Sequence, residues 1–141
     1  MEPRISIITL GVEDLDRAVR FYEAMGLKRS EAAADGVAFF QMGGVILGLW
    51  PRSELANDAG VADTPLGFSG VALAYNTRSE QEVNDVLEMA EEAGGRIIRN
   101  AGRAFWGGWY GYFVDPDGHV WEVAHNPAFR IAEDGTISLP G

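Results

Sequence analysis

The order of strand, helix and hairpin occurs twice in this chain. In the first half, an alternating β-rich run at residues 4–12 precedes a segment with apolar residues at helical spacing, and a hairpin around Gly43-Gly44 follows. The second half repeats this order and ends in a hairpin whose turn contains Gly118, at an offset of 118 − 44 = 74 residues. This duplication constrains the fold more than any other feature, because two short helices cannot cover both faces of two sheets.

The boundaries of the first half follow from capping and turn residues. Glu13 or Asp14 can cap the first helix, and Gly26 follows its last apolar turn as a stop. Strands are predicted at residues 37–42 and 45–50. We interpret the first half as βαβββ.

The second half has the same signals. A strand is predicted at 70–76, a helix at about 79–93 that Ser79 could cap, and three further strands that end with 119–125. The predicted fold is therefore α+β, with two βαβββ modules that form a curved, cup-shaped mixed sheet and helices on the outside. The predicted boundaries are about 4–50 and 69–125 for the modules, 51–68 for a linker and 128–141 for a C-terminal tail, all in one domain.

Composition excludes several classes of function. Eleven Lys and Arg against 21 Asp and Glu give 11 − 21 = −10, so the chain offers no basic surface for nucleic acid. The absence of cysteine removes thiolate metal sites and leaves only two histidines as imidazole ligands. No apolar run approaches the roughly 20 residues of a membrane span, and no signal peptide is visible, so we expect a cytoplasmic protein without a membrane partner.

Two segments carry a resemblance to a known family. TLGVEDLDRAVRFYEAMGL at 9–27 and GYFVDPDGHVWEVAHNP at 111–127 resemble the vicinal oxygen chelate family, and the match covers nearly the whole chain. That family includes glyoxalase I, extradiol dioxygenases, fosfomycin-resistance enzymes and bleomycin-binding proteins. The resemblance implies a small-molecule site inside the cup and a homodimer.

The resemblance also implies where a metal would bind. In metal-using members, each half supplies one ligand from its first strand and one from its last strand. These four positions correspond here to Ile7, Gly48, Gly70 and Glu122, and only Glu122 has a donor atom. We therefore expect no cofactor, while a strand bulge or a ligand from a second subunit leaves a divalent metal open.

The alternation of a β-strand gives an independent argument about the last strand. Side chains of one parity share a face, which groups Val120, Glu122 and Ala124 against His119, Trp121, Val123 and His125. A site for zinc, nickel or non-haem iron needs about three protein ligands, typically with imidazole among them. Neither histidine is expected to join Glu122 on one ion.

The residues around Glu122 predict an aromatic pocket. Gly48 and Gly70 either open space for a ligand or allow tight sheet packing, and Trp50 shares a face with Gly48. If Val114 pairs with His119, then Gly111 lies opposite Glu122 and Trp109 points inward, whereas a slip of one residue turns Tyr110 and Tyr112 inward instead. The predicted ligand-binding set spans both registers: Gly48, Trp50, Gly70, Trp106, Trp109, Tyr110, Gly111, Tyr112 and Glu122.

Three functions remain open from the sequence. The first is a metal-independent protein that sequesters a planar, partly apolar compound, with Glu122 orienting the ligand. The second is a divergent lyase, isomerase or dioxygenase of the glyoxalase type, in which Glu122 is the only catalytic candidate. The third is a structural module with a vestigial cup.

Overall fold

The computed structural model describes residues 1–32, 35–64 and 67–140, and the chain divides into two compact units, Met1–Gly70 and Val71–Gly141. Each unit contains a sheet with a helix on one face. The predicted fold class, α+β with two related modules, is confirmed. Among the described residues, no helix is both long enough and apolar enough to cross a membrane.

Unit 1 contains β1 (Ile7–Val12), α1 (Leu15–Ala24), β2 (Ala38–Met42), β3 (Val45–Pro51) and α2 (Arg52–Ala59). The strand order is β1-β3-β2, with β1 parallel and β2 antiparallel to β3. Asp14 caps α1, because its Oδ1 accepts a hydrogen bond from the backbone N–H of Arg17 at 3.0 Å.

Unit 1 departs from the predicted βαβββ order at one strand. The described residues between α1 and β2 form an isolated antiparallel bridge, between Arg29 and Phe40, in place of a full strand. The residues there, Lys28 to Glu31, are charged or small and lack the alternation that favours a strand. The predicted linker contains α2, which ends at Gly60 with a left-handed backbone.

Unit 2 contains β4 (Ala72–Asn76), α3 (Glu80–Glu92), β5 (Arg96–Arg103), β6 (Trp109–Val114), β7 (Val120–His125), β8 (Arg130–Ile131) and β9 (Ile137–Ser138). The main sheet has the order β4-β7-β6-β5, and the predicted tail forms the separate β8–β9 hairpin. Ser79 caps α3 through its Oγ, which accepts from the N–H of Glu82 at 3.1 Å.

One face of each sheet packs against a helix. In unit 1, the ring of Phe40 lies 6.2 Å from that of Tyr22 on α1, and both side chains are buried. In unit 2, Leu87 on α3 is buried, and Phe113 and Trp121 stack at 6.0 Å on the α3 side of the sheet. We call the opposite face of each sheet its open face.

The register between β6 and β7 decides which aromatic residues reach the open face of unit 2. Val114 pairs with Val120, so of the two registers left open by the sequence, the one that turns Tyr110 and Tyr112 toward the open face is observed. Tyr112 therefore lies opposite Glu122. The backbone N–H of Asp115 donates to the His119 carbonyl at 3.0 Å. Asp115 therefore lies opposite His119, and Val114 lies opposite Val120.

Candidate functional site

A pocket of about 510 Å³ lies on the open face of unit 2. Strands β4, β6 and β7 form its floor, while the β5–β6 loop and the tail contribute its walls. Its volume falls in the range of ligand sites, roughly 300–1,000 Å³. It is lined by Asn76, Trp106, Tyr110, Tyr112, Glu122, Ala124, Asn126, Phe129 and Ile137.

Three aromatic rings form a continuous wall in this pocket. The centroids of Trp106 and Tyr110 lie 5.5 Å apart, and those of Tyr110 and Tyr112 lie 6.0 Å apart in an edge-to-face arrangement. The Trp106 indole lies directly against the backbone of Gly108, where a Cβ atom would overlap the ring. A glycine is therefore required at 108 for this placement of the ring.

Glu122 is the one carboxylate in the pocket lining formed by the described residues. It is half-buried, and its Oε2 accepts a hydrogen bond from the Tyr112 hydroxyl at 2.7 Å. This bond to Glu122, followed by desolvation, raises the pKa of Tyr112 to about 12, although the positive charge of Arg99 opposes the shift. At neutral pH the Tyr112 phenol is therefore protonated and acts as a donor.

The tail closes one side of the pocket with Phe129 and Ile137. Its backbone is held by Arg78, whose guanidinium donates to the carbonyls of Ile131 at 3.2 Å and Ala132 at 2.8 Å. The tail is thus attached to the loop that precedes α3. Its position depends on Arg78 as well as on the β8–β9 pairing.

Two predicted site residues lie on the α3 side of the sheet, so the expectation that they point into the pocket is wrong. Trp109 donates from Nε1 to Oδ1 of Asn84 at 2.9 Å. A Cβ atom on Gly111 would lie 2.7 Å from Leu87. Both placements follow from the observed register, in which every second β6 side chain points toward α3.

The predicted site residues of the first half belong to unit 1, outside the pocket lining. A Cβ atom on Gly48 would lie 3.2 Å from both the Phe39 ring and the Thr9 hydroxyl. Gly48 therefore allows tight sheet packing, which was one of its two interpretations. Trp50 is half-buried and, two residues further along β3, shares the strand face of Gly48.

Gly70 lies before β4 and has a positive φ of 83°. In unit 1, the strand register places Ile7 beside Ile46 and Thr9 beside Gly48. In unit 2, it places Ala72 beside Val120 and Ala74 beside Glu122. The counterpart of Ile7 is therefore Ala72, and the assignment of Gly70 to that position is wrong. Gly70 serves as a turn residue instead.

The residues at the four metal-ligand positions do not fit a metal ion. Glu122 supplies carboxylate oxygens, whereas Ile7, Gly48 and Ala72 have no donor atoms in their side chains. His125 lies on the other strand face, and its Nδ1 is 3.2 Å from the Thr77 carbonyl. Within residues 1–32, 35–64 and 67–140, no three His, Asp or Glu side chains converge to hold a metal.

Five lining residues were outside the predicted set: Asn76, Ala124, Asn126, Phe129 and Ile137. Strand alternation had placed Ala124 on the face of Glu122, so its position was available from the sequence. The tail residues gave no comparable signal, because the contact between a tail and a sheet has no fixed periodicity. The Oδ1 atom of Asn126 accepts from the N–H of Ala128 at 3.0 Å and shapes the start of the tail.

Comparisons with known proteins agree with this architecture. A crystal structure of a glyoxalase-related enzyme from Fulvimarina pelagi is 39% identical, with 99% of each chain covered and a TM-score of 0.90. A glyoxalase/bleomycin resistance protein/dioxygenase from Nocardioides is 28% identical over 89% of this chain and 84% of that chain, with a TM-score of 0.72. Lactoylglutathione lyase from Agrobacterium tumefaciens shares the fold at 23% identity over 89% of this chain and 96% of that chain, with a TM-score of 0.67.

The family model described as the Glyoxalase/Bleomycin resistance protein/Dioxygenase superfamily matches residues 4–123. This range includes α1, α3 and Glu122, and it ends within β7. The chain belongs to the Glyoxalase/Bleomycin resistance protein/Dioxygenase superfamily.

Proposed function

We propose that this protein binds a planar, partly apolar small molecule in the unit 2 pocket and sequesters it without a metal and without a reaction. The row of rings formed by Trp106, Tyr110 and Tyr112 beside Glu122 carries this proposal. Flat aromatic walls favour flat ligands, because stacked or edge-to-face contacts bury large areas of both partners. A pocket of about 510 Å³ supports ligand binding over a vestigial site.

The polar groups of the pocket support binding over catalysis. In the described part of the chain, the lining contains one carboxylate and no His, Lys or Asp. The Tyr112 hydroxyl already donates to Glu122. General acid-base catalysis usually requires a second group with a suitable pKa near the first, and the raised pKa of about 12 makes Tyr112 a weak acid at neutral pH.

A titration panel of planar aromatic antibiotics and metabolites tests the proposal, with tryptophan fluorescence as the readout. We expect at least one compound to change the fluorescence, and we expect Trp106→Leu to weaken its binding. Trp109→Phe is the matched control, because Trp109 lies on the α3 side and its replacement should leave affinity unchanged. A panel without any response, together with a crystal structure in which protein side chains fill the pocket, would contradict the proposal.

A second candidate is a divergent enzyme of the glyoxalase type that uses Glu122. The 39% identity to a glyoxalase-related enzyme favours this candidate. In a metal-dependent form, it requires near-stoichiometric binding of a divalent ion. Elemental analysis of protein purified without chelator, before and after addition of zinc, nickel, iron or manganese, tests it, and a persistently metal-free protein would exclude that form.

We also propose that the protein is a cytoplasmic homodimer. Strands β1 and β4 are terminal strands of their own sheets, and Ile7 on β1 is 48% exposed. Apolar side chains on terminal strands favour coverage by another chain. Sedimentation velocity at micromolar concentration should show a dimer, and a monomer would contradict the proposal.

A further inference from the structure

Within the described ranges, no Lys, Arg or His forms an ion pair with Glu122. Among the described residues, its hydrogen bond comes from the neutral Tyr112 hydroxyl. A half-buried carboxylate is more stable when an opposite charge is close, because the surrounding low dielectric strengthens their attraction. A positively charged ligand would supply that charge.

The ring wall also favours a positive charge. The faces of aromatic rings carry negative electrostatic potential, and they attract cations within about 6 Å of the ring centroid. The structure already shows this at Tyr110, where the Arg99 guanidinium carbon lies 4.7 Å from the ring centroid. Trp106 and Tyr112, the other two rings of the wall, offer the same attraction to a planar cation next to Glu122.

The charges of the pocket lining and of the whole chain agree with this preference, whereas Arg99 beside the Tyr110 ring opposes it. The described lining contains no Lys or Arg that would repel a cation, and its other polar side chains are the neutral amides of Asn76 and Asn126. The whole chain has a net charge of −10, which raises the local concentration of cations and lowers that of anions.

We infer that the natural ligand of this pocket is a planar organic cation, held by the rings of Trp106, Tyr110 and Tyr112 and by the carboxylate of Glu122. This inference rests on the proposed binding function and adds the charge of the ligand to it. Arg99 acts against the ligand, because its guanidinium places a like charge beside Tyr110.

A charge series on one planar frame tests the inference. N-methylquinolinium is the cation, quinoline is the neutral compound at neutral pH, and quinoline-2-carboxylate is the anion. Calorimetry gives the dissociation constants, and the NMR signal of the Trp106 indole N–H locates the binding. We expect the cation to bind about tenfold more tightly than quinoline, equivalent to about 1.4 kcal/mol, and the anion to bind most weakly.

Two variants assign the preference to named charges. Glu122→Gln preserves the shape of the side chain and an oxygen for Tyr112, so the advantage of the cation over quinoline should fall to about twofold. Arg99→Gln should act in the opposite direction and tighten cation binding about two- to threefold. Circular dichroism of each variant verifies that the fold is intact.

The outcomes separate this inference from the proposed function. Equal binding of quinoline and N-methylquinolinium would overturn the cationic ligand and leave a pocket for planar compounds. A cation preference that survives Glu122→Gln would overturn the role of Glu122. If no compound in the series shifts the Trp106 signal, the inference fails, whereas the proposed function is decided by the broader panel of planar compounds.

Discussion

Equivalent positions on the open faces of the two units contain different side chains. In unit 1, Gly48 on β3 lies between Thr9 on β1 and Phe39 on β2. In unit 2, the same register places Glu122 on β7 between Ala74 on β4 and Tyr112 on β6. The strand pairing is the same, whereas the sizes and charges of the central residues differ.

This difference explains why unit 2 has a pocket beside a carboxylate. The Phe39 ring and the Thr9 hydroxyl lie close to Gly48, so a Cβ atom there would be 3.2 Å from both and would require them to shift. Ala74 is small, so Glu122 has space on that side, and Tyr112 reaches it with a hydrogen bond. The two units thus show that one strand arrangement can have close packing around a glycine or a pocket beside a carboxylate at the equivalent position.

The largest effect is expected when unit 1 receives the residue of unit 2. In Gly48→Glu, the new carboxylate meets Phe39 and Thr9 at a buried position without a cation, which should lower the free energy of unfolding by about 3 kcal/mol or more. Urea denaturation measures this change. The double variant with Phe39→Ala should recover part of the loss, because the ring no longer occupies the site, and an unchanged stability in the single variant would contradict the comparison.

The next effect concerns the aromatic wall of unit 2. In Gly108→Ala, the new methyl group overlaps the Trp106 ring and lies 2.7 Å from the His125 carbonyl, so we expect a loss of about 1–3 kcal/mol and displacement of the indole. Thermal unfolding and the emission of Trp106 report these changes. Gly102→Ala is the matched control in β5, where a Cβ atom meets nothing within 4 Å, and it should be neutral.

A smaller effect, nearly equal in the two units, is expected at the helix starts. Asp14→Ala and Ser79→Ala each remove the side-chain cap of α1 or α3 and should each cost about 1 kcal/mol. Chemical denaturation of both variants gives the comparison. A large cost in one unit and none in the other would show that the duplicated helices do not stabilise their units alike.

The smallest effect is expected at Tyr112. Its pKa in the folded protein, about 12, exceeds the ordinary value of 10.0, so the hydrogen bond to Glu122 contributes fully below pH 10 and is lost as pH rises through about 12. Tyr112→Phe should cost about 0.5 kcal/mol at neutral pH. Ultraviolet titration should lose one late phenolate transition in this variant, and an unchanged curve would contradict the assigned pKa.

Much of the fold followed from the sequence, because its signals are local. The helix starts at Asp14 and Ser79 and the glycine turns follow from capping and backbone preferences that act over a few residues. Strand alternation also separated Glu122 from His119 and His125, since parity within one strand does not depend on its partner. The open-face position of Glu122 and its separation from imidazole were therefore predictable.

The composition of the pocket depends on the pairing register of β6 with β7 and on the position of the tail, which the alternation of side chains along one strand does not determine. The hydrogen bonds of Asp115 set the β6–β7 register, and a shift of one residue exchanged Trp109 for Tyr110 and Tyr112 on the open face. The tail added Phe129 and Ile137 through Arg78, which lies more than 50 residues earlier in the chain. Such contacts arise from packing between distant segments and have no local pattern.

The indole N–H spectrum of the four tryptophans during a titration with quinoline shows directly whether a planar compound binds in the unit 2 pocket. Trp106 borders the unit 2 pocket, Trp109 and Trp121 lie on the α3 side, and Trp50 belongs to unit 1. A binding site on the open face of unit 2 predicts that the Trp106 signal shifts most and saturates, with little change in the other three. Saturating shifts of Trp50 or Trp109 with a static Trp106 signal would contradict a binding site on the open face of unit 2.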